Sequence, residues 1–90
     1  MHAVVVRSTL HDFERATTFL REQTLPRVRQ APGLVGAQWV RLDEHTGTSM
    51  LTFESEEAAQ AAVERLGSAQ PPADALTIES VQVGEVVERI

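Results

Sequence analysis

Apolar runs with a strand-like repeat alternate along the chain with two segments of helical spacing. His2 to Thr9 is rich in β-branched residues, with Val4, Val5 and Val6 in succession, and reads as a strand apolar on both faces. From His11 and Asp12 the period changes. Phe13, Ala16, Leu20 and Val28 fall on one stripe, with Glu14, Arg15, Arg21 and Glu22 outside it, which predicts a helix capped by Asp12. Pro26 lacks a backbone donor and biases Leu25 away from helix, so a kink or break is expected there before the segment ends at Gln30.

Pro32 and Gly33 interrupt the pattern; Leu34 to Leu42 then reads as a strand, Asp43 to Gly47 as a polar turn and Thr48 to Phe53 as a second strand. Within Leu34 to Leu42, strict alternation puts Val35, Ala37, Trp39 and Arg41 on one face, and Leu34, Gly36, Gln38, Val40 and Leu42 on the other. The turn is long enough to leave the cross-strand register open. Helical spacing returns at Glu56 to Leu66, where Ala59, Ala62, Val63 and Leu66 form the stripe. Ser55 supplies its N-cap, Glu56 and Glu57 suit the positive end of the helix dipole, and Gly67 marks the stop. A surface loop is expected at 68–74, and Leu76 to Ile90 reads as a long last strand with a bulge or bend at Gly84.

Strand, helix, strand, strand, helix, strand is the ferredoxin-like βαββαβ order of the α+β class: a four-stranded antiparallel sheet with two helices on one face. The 90 residues suffice for a single domain, 1–90, with a core of moderate depth. Strands apolar on both faces leave the helix-free side as an exposed patch, so a homodimer closing sheet to sheet is expected, with the tail Gly84 to Ile90 reaching across to the partner.

Composition narrows the chemistry. A net charge of −5 disfavours nucleic acid and anionic membranes as partners. The absence of cysteine excludes disulfides, thiolate catalysis and Cys-based zinc sites. The apolar run Ala3 to Val6 is shorter than a signal-peptide core or a membrane span, and a cytoplasmic protein is expected. The three histidines, His2, His11 and His45, lack the spacing of ligands on one helix, and no metal or cofactor site is expected.

Three stretches carry a family resemblance: the helix through Leu25-Pro26 to Ala31-Pro32-Gly33, the strand Leu34 to Arg41, and Phe53-Glu54-Ser55-Glu56-Glu57-Ala58. In these the chain resembles the antibiotic biosynthesis monooxygenase-like domains of the dimeric α/β-barrel superfamily, over nearly its whole length. The resemblance implies a small dimer with a pocket between sheet and helices. It also sets limits. Oxygenases and haem-degrading members of that superfamily use an Asn, often on the first strand, and this sequence contains none. Many relatives carry Trp where this chain has Phe53, and the haem-degrading members use a His on the second helix, which has none here.

Trp39, the only tryptophan, can wall an aromatic ligand pocket or anchor the core or dimer interface. Arg41 shares its face and can pair with an anionic or enolate oxygen, or remain a solvated charge. His11 before the first helix can act as a general base or lie idle on the surface. Phe13, Phe19, Leu20, Met50 and Phe53 supply an apolar lining, or simply core. Two functions follow: a dimer that binds a small apolar or aromatic molecule or is purely structural, or a cofactor-independent monooxygenase or isomerase of a quinol-like or polycyclic aromatic compound. A first helix packed flush on the sheet, with no space near Trp39, argues against the enzyme; a polar group converging on an aromatic-sized void argues against a purely structural role.

Overall fold

The computed structural model describes residues 1–68 and 70–90; Ala69, in the loop expected at 68–74, lies outside the described residues. The elements are β1 (His2–Leu10), α1 (Phe13–Phe19), a π-helical turn (Leu20–Thr24), α2 (Leu25–Arg29), β2 (Leu34–Asp43), β3 (Thr46–Phe53), α3 (Glu56–Ser68) and β4 (Leu76–Glu85). The strands form one antiparallel sheet in the order β2-β3-β1-β4. Ala16 of α1 packs on Leu10, and Ala59 and Ala62 of α3 pack with Val4. Leu10 and Val4 share one face of β1, so both helical segments cover the same side. The expected ferredoxin-like arrangement is therefore observed.

The first helical segment is continuous, because the residues joining α1, the π turn and α2 keep right-handed helical dihedrals. The irregularity expected at Pro26 takes the form of a π turn just before it. The chain widens there, with the Leu25 N–H donating to the Leu20 carbonyl five residues back. That change of register accommodates a residue that has no donor of its own and whose ring crowds the preceding turn. The caps follow the sequence: Asp12 Oδ1 accepts from the Arg15 N–H at 3.1 Å, and Ser55 Oγ from the Ala58 N–H at 3.1 Å.

Register assigns every strand residue a side. His2, Val4, Val6 and Ser8 pair with Phe53, Leu51, Ser49 and Gly47 on the helix side, whereas Ala3, Val5 and Arg7 pair with Thr52, Met50 and Thr48 on the open side. The alternation expected for β2 fails at its start. A bulge between Leu34 and Gly36 shifts the phase, so Leu34, not Val35, joins Ala37, Trp39 and Arg41 opposite the helix-side residues of β3. The β2–β3 turn is also shorter than expected, with Asp43 pairing Thr46 and its Oδ1 accepting from the His45 N–H at 2.8 Å.

In β4, Gly84 pairs in register with Ala3, and the irregularity lies opposite Arg7 and Ser8 instead. The regular strand ends at Glu85, short of the expected Ile90, although the Val86 N–H still donates to the Met1 carbonyl at 2.9 Å. Val81 and Val83 pair with Val6 and Val4 and so face the helices. The open side is thereby less valine-rich than expected, with Val5, Val40 and Met50 interspersed among Thr48, Thr52, Gln38 and Gln82.

The main core joins Val4, Leu51 and Phe53 to Val28, Ala59 and Ala62. A smaller cluster, Leu10, Ala16 and Ala75, pins the start of α1. Gly33 has a left-handed φ of 78°, and a Cβ there would lie 3.0 Å from Ala58 Cβ, so glycine lets β2 begin close beside α3.

Candidate functional site

α3 packs on the main core through the buried alanines Ala59 and Ala62, with Val63 and Leu66 partly buried beside them. The first helical segment is seated at its ends, by Ala16 on Leu10 and by Val28 in the main core, while the π turn between them contains no buried residue. Beneath this span is a cavity of about 710 Å³. Phe13, Thr17, Phe19, Leu20 and Thr24 form its roof, and Val6, Ser8, Trp39, Arg41, Ser49 and Leu51 its floor. Leu66 of α3 and Ile78 and Val81 of β4 close the far side. Phe13, Ile78 and Val81 are 41%, 42% and 39% exposed, so the cavity opens to solvent at its rim.

The expected residues divide cleanly. Trp39, Phe13, Leu20 and Arg41 all line the cavity, and the Arg41 guanidinium carbon sits 4.0 Å from the centroid of the Phe13 ring. Phe19, named with them as apolar lining, is there too. Met50 pairs with Val5 on the open side, 44% exposed, and cannot reach the cavity. Phe53 is fully buried in the main core and borders only a narrow cleft of about 50 Å³ between α2 and α3. His11 does not line the cavity; its Nε2 lies 2.7 Å from the Thr77 hydroxyl in an exposed position.

Ser8 and Ser49 were missed. Ser49 is 7% exposed and lies on the floor beside Leu51 and Trp39. A polar residue at the same alternation as Leu51 and Phe53 was the available signal. Ser8 stands on the same face of β1 as Val4 and Val6, with its hydroxyl 3.4 Å from the Gly47 carbonyl. With Arg41, these hydroxyls give a floor of Val6, Trp39 and Leu51 its polar groups.

Charge is scarce within. Arg41 is the one charged side chain among the described residues that line the cavity. Ionic contacts occur outside it: Arg15 pairs with Asp74, which ties α1 to the segment before β4. The hydrogen bond from Arg15 holds the Asp74 carboxyl below its ordinary value, and Asp74 in turn raises Arg15. Asp43 is likewise lowered, first by the His45 backbone N–H. No three His, Asp or Glu side chains among the described residues cluster to hold a metal. Among the described residues no histidine lines the cavity, so they do not supply the axial ligand a haem iron takes from that side chain. Among the described residues no helix is long and apolar enough to cross a membrane.

Sheet order, register and helix placement define a ferredoxin-like α+β fold with a cavity roofed by its first helical segment. Solved structures carry the same fold. A variant of SnoaB, a cofactor-independent oxygenase from Streptomyces nogalater, aligns with a TM-score of 0.72 at 17% identity, covering 99% of this chain and 95% of that one. A monooxygenase from the gene ActVA-Orf6 of Streptomyces coelicolor, in complex with nanaomycin D, aligns at 0.62 and 16% identity, covering 99% and 89%. A dimeric ferredoxin-like protein from an uncultured marine organism aligns at 0.63 and 15% identity, covering 100% and 98%. The resemblance to monooxygenase-like domains thus holds at the level of the fold. No family model and no curated protein matches the sequence.

Proposed function

We propose that this protein binds a small, mainly apolar aromatic molecule between its first helical segment and the sheet. The observation that carries this reading is the cavity of about 710 Å³ beside Trp39. Small-molecule sites commonly measure about 300–1,000 Å³, with apolar walls and a few placed polar groups. Trp39 offers a ring for stacking, Leu20, Phe13 and Leu51 the apolar walls, and Ser8 and Ser49 hydrogen-bonding hydroxyls. Titration with 2-naphthol followed by amide and indole NMR shifts tests it. Saturable shifts centred on Trp39, Leu20, Leu51 and Ser49 are expected; shifts scattered over the surface, or none up to the solubility limit, overturn it.

The same reading takes the protein as a homodimer closed through the open side of the sheet. Exposed Val40 and Met50 on that side support this, as does a fold shared with a protein described as dimeric. The tail beyond Glu85 then packs against the partner. Light scattering giving a monomer mass at micromolar concentration would exclude it.

Catalysis is the second reading, favoured by the fold shared with a cofactor-independent oxygenase. A polycyclic phenol bound on Trp39 would be oxygenated or isomerised without a cofactor. Among the described residues that line the cavity there is no carboxylate or imidazole to take a phenolic proton, which ranks this reading below simple binding. Oxygen uptake with a polycyclic phenol, no faster with protein than without, rules out the oxygenase.

A further inference from the structure

We infer that the ligand of this cavity carries a carboxylate and that Arg41 is the residue that selects for it. This rests on the binding reading above and deepens it. The chain has 13 Asp and Glu residues against 8 Arg, yet among the described residues that line the cavity there is no acid and one arginine. Arg41 forms no salt bridge among the described residues; its contact is with the Phe13 ring at 4.0 Å. A guanidinium held at the rim of an otherwise uncharged cavity without an ion-pair partner leaves its donors available to an anionic ligand group.

Stacking also dictates which anion fits. A guanidinium lying over an aromatic ring uses its face, so its in-plane N–H donors remain available at the edge. That planar fork matches the two oxygens of a carboxylate in a bidentate pair, a match a single phenolic oxygen does not offer. Register places the fork usefully: Arg41 and Trp39 are two residues apart on the helix side of β2, opposite Gly47 and Ser49. An aromatic body stacked at Trp39 therefore sets a ring substituent within reach of the next side chain along the strand. Phe13 acts as a positioning residue, holding the guanidinium at the wall.

The test compares 2-naphthoate with its uncharged isostere 2-naphthamide by calorimetry near pH 7. Wild-type protein is expected to bind the acid about tenfold or more tightly than the amide, the range of a hydrogen bond to a charged group. Arg41→Gln should bind both with the amide's affinity, and Arg41→Lys, which keeps the charge without the fork, should fall between. Arg41 is exposed on an edge strand, so circular dichroism should show both variants folded. Equal wild-type affinity for acid and amide, or an undiminished preference in Arg41→Gln, overturns the role of Arg41 while leaving the pocket intact. Failure of both compounds to bind wild-type protein overturns the pocket reading and this inference with it.

Discussion

The two helical segments share one face of one sheet and use it in opposite ways. α3 presents Ala59 and Ala62, approaches closely, and seals Val4, Leu51 and Phe53 from water. The first segment presents Phe13, Phe19 and Leu20, buries only Ala16 and Val28, and leaves a cavity between. Small contact residues let a helix settle on a sheet; large ones around a widened turn hold it away. The main core is thus concentrated under α3, and the cavity lies under α1 and the π turn. The two regions meet at Leu51, which belongs to the core and also to the cavity floor.

The sharpest way to break this contrast is to truncate one large residue in each region. Phe53→Ala should lower the urea-unfolding free energy by about 3–5 kcal/mol, because a fully buried ring leaves a cavity behind. Leu20→Ala should cost about 1 kcal/mol or less, since its side chain already borders empty space and loses few contacts. Equal losses would mean that the first segment is packed as tightly as α3.

Filling the cavity gives an intermediate effect. Ser49→Leu adds apolar volume to the floor, and stability should stay within about 1 kcal/mol of wild type. Saturable 2-naphthol shifts should disappear. Retained binding would place the ligand elsewhere on the protein.

The smallest effect concerns the clip that fixes the start of α1. Asp74 is held below the usual carboxylate value of 3.8, chiefly by its hydrogen bond from Arg15. A depressed folded-state value means the contribution is complete above the usual value and fades as pH falls through the folded one. Between about pH 5 and pH 2 the thermal midpoint of wild type should therefore fall more steeply than that of Asp74→Asn, modestly so for an exposed pair. Parallel curves would show that the clip contributes nothing to seating α1.

Much of the fold was legible because its signals are local. β-branched runs, helical stripes, the Asp12 and Ser55 caps and the break at Pro32-Gly33 each name their own element. Strict alternation correctly put Trp39 and Arg41 on one face, since both lie beyond the bulge near Val35. That bulge was not legible, because nothing in Leu34-Val35-Gly36 marks the residue that goes unpaired. Met50 was misplaced for a related reason: without the register of β3 against β1, its side of the sheet was undetermined. The cavity was hidden more deeply. An apolar stripe on a helix looks the same whether it rests on the sheet or stands away from it, and only the pairing of Ala16 and Val28 with distant residues distinguishes the two.

The widened turn at Leu20–Thr24 also makes the chain's length in this region meaningful. A π turn is equivalent to an α-helix carrying one additional residue, so its removal would close the turn and rotate everything before it by about 100° relative to everything after. Such a one-residue deletion would swing Phe13 off Arg41 and Ala16 off Leu10 together. Across variants of this protein, deletions in this helix should be tolerated far less than substitutions at the same positions, and a residue count between Asp12 and Pro26 would serve as a marker of an intact cavity.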